Sequence, residues 1–143
     1  MNENEIYRRT VCGKVVGLAI GVAGFFLLPF IWAGADIFTR MGFLLWYVLI
    51  GAVVGLAGAI RTIPAWNIPL NRYFRAAWIG GWFNFVLVLL AYDNVILIME
   101  HMAVFASTRP APVFPLVLEG VVVGIFMEWV CGRCAMTKKK KKE

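Results

Sequence analysis

Four long apolar runs divide this chain, and twelve of its fourteen basic residues lie in the connections on one side of them. The runs cover residues 15–33, 42–60, 76–99 and 111–131. Each is close to the roughly 20 apolar residues that a helix needs to cross a bilayer. Arg8, Arg9 and Lys14 precede the first run, Arg61, Arg72 and Arg75 separate the second from the third, and Arg133 with Lys138, Lys139, Lys140, Lys141 and Lys142 follow the fourth. Only Arg40 and Arg109 occupy the other two connections. Basic residues near membrane ends are retained in the cytoplasm, so this asymmetry predicts that both termini and the middle connection are cytoplasmic.

Composition excludes the main alternatives. With 62% hydrophobic residues and a mean hydropathy of +0.79, the 143 residues lack enough polar side chains to cover a water-soluble surface. The expected class is therefore all-α: one integral membrane domain, residues 1–143, of four transmembrane helices in a tight antiparallel bundle. Residues 132–143 form a basic cytoplasmic tail. The net charge of +6 does not imply a nucleic-acid partner, because five lysines of that tail supply most of it and no nucleic-acid motif accompanies them. Lysines beside a membrane are attracted to anionic headgroups at about 1 kcal/mol each, which makes Lys138 to Lys142 a lipid-binding segment.

A secretory leader is the competing reading of the N-terminus, since Ala33-Gly34-Ala35 has the form of a cleavage site and would set residues 1–35 apart. The apolar stretch before it is longer than the roughly 7–15 residues of a signal core, which favours a retained helix. Trp32, Trp46, Tyr47 and Tyr92 fall near the outer ends of the runs and Trp66, Trp78 and Trp129 near the inner ends, as expected for rings at headgroup depth. The end of the third run is ambiguous between Tyr92 and Met99.

Small residues recur at helical spacing in every run: Gly17, Gly21 and Gly24; Gly51, Gly55 and Gly58; Ala77 and Gly81, with Asn84; Gly120 and Gly124. Residues three and four apart share a helix face, so these are packing seams where backbones approach closely. The string VVGLA at residues 15–19 and 53–57 hints at an inverted repeat, but five residues of so restricted an alphabet recur easily.

Chemistry is sparse. Glu119 is eight residues inside the fourth run, about 12 Å from its outer end. A carboxylate at such depth costs roughly 2.5–3.5 kcal/mol and must be protonated, paired or hydrated. Asn84, at similar depth in the third run, is its candidate hydrogen-bond partner, and the two form a candidate proton or ion site. Glu128 lies near the inner end and on the opposite helix face, where pairing with a basic residue is expected. Cys12, Cys131 and Cys134 all fall on the cytoplasmic side, and three converging thiols would suit a soft metal ion such as Cu(I) or Zn(II), although a single C-x-x-C is weak evidence. A reducing compartment disfavours structural disulfides there. The outer connection gathers Asp93, Asn94, Glu100, His101 and Arg109, and its apolar stretch 95–106 reads as a short interfacial helix.

No nucleotide, triad or metalloprotease motif is present, so catalysis is not expected, and no cofactor is predicted, a soft metal ion at the thiols being the one candidate. The chain reads first as a non-catalytic membrane subunit or scaffold that packs with partner helices, as a homo-oligomer or within a larger complex, and with anionic lipid. The second reading is a small oligomeric proton- or cation-coupled transporter or channel using Glu119, and the third is thiol metal binding. The expected site is the plasma or inner membrane of a bacterium, or the endoplasmic reticulum of a eukaryote, where the terminal lysines resemble a dilysine retrieval signal.

Overall fold

The computed structural model describes residues 3–59, 71–101 and 113–136, with side-chain environments for all of these but 97–101, 113, 135 and 136. Those residues form five helices: α1 (Glu3–Ile31), α2 (Ile37–Ala59), α3 (Arg72–Leu90), α4 (Tyr92–His101) and α5 (Val113–Met136). Among the described residues there is no strand. The four helices α1, α2, α3 and α5 are long and apolar enough to cross a membrane. At about 1.5 Å per residue the 29 residues of α1 extend about 44 Å, well beyond a hydrocarbon core of about 30 Å. Its polar first turns therefore project past the apolar part.

Local chemistry explains the helix ends. Glu3 and Glu5 lie in the first turn of α1, where carboxylates complement the positive end of the helix dipole. Pro29 removes a backbone donor near its other end, and the helix stops two residues later. The chain then turns tightly, with Ala35 N–H bonded to the Trp32 carbonyl at 3.1 Å. A Cβ on Gly34 would lie 2.9 Å from the Trp32 indole nitrogen, so a larger residue there would displace that ring. Asp36 caps α2 by accepting from the Thr39 N–H at 2.8 Å, and Asn71 caps α3 by accepting from the Tyr73 N–H at 3.1 Å.

The third apolar run does not form one helix to residue 99. It breaks at Ala91, whose ψ of 35° departs from helical geometry, and α4 restarts with the Val95 N–H on the Ala91 carbonyl. Of the short helix expected within residues 95–106, the part to His101 is helical and begins earlier, at Tyr92; residues 102–106 lie outside the described residues.

Two antiparallel hairpins follow from the glycine contacts. In the first, Gly13 lies on Gly51 and Gly55, Gly17 on Tyr47 and Val48, and Gly21 on Leu44. In the second, Gly80 lies on Gly120 and Gly124, and Gly124 lies on Ala76. The backbones touch so closely that a methyl group at Gly13, Gly51, Gly80 or Gly120 would collide with a carbonyl of the opposite helix. Three seam assignments change, Gly58 among them, since its nearest neighbours are the Arg9 and Glu128 side chains. Gly24 faces open space, and the α1 seam instead begins at Gly13. Ala77 is only half-buried, whereas Ala76, Gly80 and Asn84 form the contact row, with Gly81 beside it against Val117 and Val121.

Within the first hairpin the contacts are reciprocal about the two VVGLA strings: Gly17 meets the Tyr47 carbonyl and Val48 Cα as Gly55 meets the Arg9 carbonyl and Thr10 Cα. Gly13 also meets the Gly51 carbonyl and Gly55 Cα as Gly80 meets the Gly120 carbonyl and Gly124 Cα, so the two hairpins share one packing pattern. Large side chains, not glycines, join the hairpins. Ile50, Val54, Ala76 and Met127 are buried together, flanked by Trp46, Phe83 and Val123, and the Trp46 and Phe83 rings stand 5.6 Å apart. The outer faces stay apolar and bare: Phe30 is 88% exposed, Phe38 80% and Phe114 74%. Such a surface is stable only against lipid or another apolar partner.

Candidate functional site

The Gly120 and Gly124 face of α5 is committed to α3, and this rotates the neighbouring Glu119 toward the junction between the hairpins. Its carboxylate accepts two hydrogen bonds, one from each hairpin. The Tyr47 hydroxyl on α2 donates to Oε1 at 2.7 Å, and Asn84 Nδ2 on α3 donates to Oε2 at 2.6 Å. Asn84 Nδ2 also reaches the Leu116 carbonyl at 3.0 Å. Asn84 is 1% exposed, while Glu119 is exposed. The structure thus brings Asn84 and Glu119 together and adds Tyr47, which the sequence alone placed among the headgroup aromatics. Tyr47 lies ten residues into α2, about 15 Å deep, where a hydroxyl needs a partner.

Among the described residues no cation lies within ion-pair distance of Glu119. Among the described residues the Asn84 Oδ1 has no hydrogen-bond partner. Chemically the arrangement can hold a proton, accept a donor from outside, or bind a cation at the open side of the carboxylate.

A second polar centre lies near the other end of α5. Glu128 is 1% exposed and its Oε1 accepts from Arg9 Nη1 of α1 at 3.2 Å; Arg9 is itself 6% exposed. Arg9 Nε lies 4.0 Å from Glu5. Gly58 of α2 completes the centre, because a methyl group there would strike both Arg9 Nη1 and Glu128 Oε2. The pairing expected of Glu128 is present, and three helices meet around it. Glu119 and Glu128 serve different surroundings, as their opposite faces require.

The three cysteines also come together. Cys12, Cys131 and Cys134 line one pocket of about 200 Å³ with Tyr7, Arg8, Arg9 and Val11. All three are free thiols; Cys131 is buried, Cys12 half-buried and Cys134 exposed. Among the described residues, however, no three His, Cys, Asp or Glu side chains are grouped to hold a metal ion. No family model matches this chain, nor does any curated protein or solved structure.

The remaining polar residues separate. Asp36, exposed at its turn, has its carboxyl held below the ordinary range by the hydrogen bonds from the Thr39 side chain and backbone. Asp93 lies in the first turn of α4. The side chains of Glu100 and His101, all of Arg109, and Lys138 to Lys142 lie outside the described residues.

Proposed function

We propose that this protein is a non-catalytic, multi-pass membrane subunit that associates laterally with a further transmembrane helix, with both termini and the basic tail in the cytoplasm. The observation that carries this reading is Glu119: a carboxylate placed on an exposed, otherwise apolar face. Left against lipid it would cost roughly 2.5–3.5 kcal/mol, and a donor from a neighbouring helix removes that cost. The glycine seams serve within the hairpins, so partner contacts must use the outer faces of the four-helix bundle. The twelve cytoplasm-side basic residues support the orientation and the contact with anionic lipid.

Isolation in mild detergent tests this. The parent protein should migrate as a discrete complex larger than one chain, and Glu119→Leu should reduce it to a monomer without loss of helicity. A monomeric parent, or a complex indifferent to Glu119→Leu, refutes the reading.

A second reading has a specific observation in its favour. Glu119 is held by neutral donors alone, which suits a carboxylate that exchanges a proton or cation in an oligomeric transporter. Liposomes containing the protein should then show proton or cation flux that Glu119→Gln abolishes. Absence of flux in the parent protein removes this alternative.

A further inference from the structure

The proposal concerns the thiol pocket, not the Glu119 site. Cys12 enters from α1, and Cys131 and Cys134 come from the last turns of α5, so the pocket is a seam between the first and last helices. With no metal-holding group assembled there, the chemistry open to adjacent thiols is thiol–disulfide exchange.

Geometry selects the pair. Cys131 and Cys134 are three residues apart on one helix, where Cβ atoms lie about 5–6 Å apart, whereas a disulfide needs about 3.5–4.5 Å. The C-x-x-C cannot close without unwinding α5. Cys12, on a different helix, lines the same pocket as both. Cys131 is 0% exposed, while Cys134 is open to solvent. An oxidant in the aqueous phase therefore reaches Cys134 first. Arg8 lies alongside, its guanidinium donating to the Cys134 carbonyl at 3.2 Å.

We propose that Cys12 and Cys134 are a reversible redox pair whose disulfide joins the cytoplasmic ends of α1 and α5, with a low-molecular-weight disulfide as oxidant. The Cys134 thiolate attacks the oxidant, forming a mixed disulfide and expelling one small thiol. The Cys12 thiolate then attacks the Cys134 sulfur and expels the second. Two protein thiols become one disulfide, the oxidant's S–S bond is reduced to two small thiols, and the two protons pass to them. Cys131 remains a thiol. In a reducing cytoplasm the resting state is the dithiol, so the pair reports a rise in oxidising potential.

The test uses the full chain in lipid nanodiscs treated with glutathione disulfide, followed by thiol titration and peptide mapping without reduction. Titratable thiols should fall from three per chain to one, with a peptide joining Cys12 to Cys134. Cys131→Ser should still lose two thiols, while Cys12→Ser should hold a glutathionyl adduct on Cys134 that never resolves. Three persistent thiols, a Cys131–Cys134 link, an interchain link, or an unresolved adduct in the parent protein would each overturn the proposal.

Discussion

Breaking the Arg9–Glu128 pair should be the most damaging single change to a polar group in this protein. The two groups are 6% and 1% exposed and 3.2 Å apart, so neither has water to fall back on. At an effective dielectric of about 20, charges 3.2 Å apart attract by about 5 kcal/mol before desolvation is counted. Removing one partner leaves the other charge buried, which typically costs about 3–5 kcal/mol. Replacing both by apolar side chains of similar size avoids that orphaned charge. Glu128→Leu and Arg9→Met should therefore each destabilise by about 3–5 kcal/mol, and the double variant should lose less than either single one. Gly58→Ala should reproduce part of the loss, since its methyl group displaces both partners. Unfolding in mixed micelles of rising SDS fraction, followed by far-UV circular dichroism, measures all four variants. Single losses under about 1 kcal/mol, or a double loss equal to the sum of the singles, would refute the argument.

The seams and caps give three further expectations. Gly80→Ala should destabilise by about 1–3 kcal/mol or more in the same unfolding assay, because its methyl group meets the Gly120 carbonyl, whereas Gly24→Ala, facing open space, should be neutral or stabilising by up to about 1 kcal/mol; equal effects would contradict the assigned seam. Tyr47→Phe should cost about 1.5–3 kcal/mol by removing a donor to a charged acceptor, and no change in unfolding would mean that the Glu119 bond is not formed. The Asp36 cap should be fully effective above the unfolded carboxyl value of about 4 and fade as pH falls through its lower folded value, so Thr39 amide exchange should accelerate only in strong acid; in Asp36→Ala it should be fast at every pH.

The number and position of the long helices were legible because lipid imposes a length and a composition on any segment that crosses it. The seams were legible in outline, but on α3 the row was read one residue off, which on a helix is not close enough. A shift from Ala77 to Ala76 turns the contact row by about 100 degrees, and only contact with α5 decides which residue faces inward. Gly24 shows the same limit: its spacing fits the row, but a Cβ there would meet nothing within 4 Å. The Asn84–Glu119 contact was accessible because both residues are anomalous at their depth. Tyr47 was not, since a tyrosine in a membrane segment reads as an interface anchor until a partner is seen. Arg9 and Glu128 are 119 positions apart, and no local spacing specifies which basic residue closes such a pair.

Under the proposed function, the two glutamates of α5 would divide the labour between folding and association. Glu128 is neutralised from within by Arg9 and sealed by Gly58, so nothing outside the chain needs to recognise it. Glu119 has its internal bonds as well, yet they come from neutral donors and leave the carboxylate exposed on an apolar face. A substitution at Glu128 therefore acts on the stability of the isolated chain. At Glu119 the balance differs: Glu119→Leu gives up two hydrogen bonds but also lifts the cost of a carboxylate in lipid, so the isolated chain should tolerate it. What the change cannot preserve is any contact that an outside group makes with that carboxylate. Stability and assembly should consequently respond to opposite members of the pair, and a protein in which both properties followed Glu128 alone would have no outward-facing polar site.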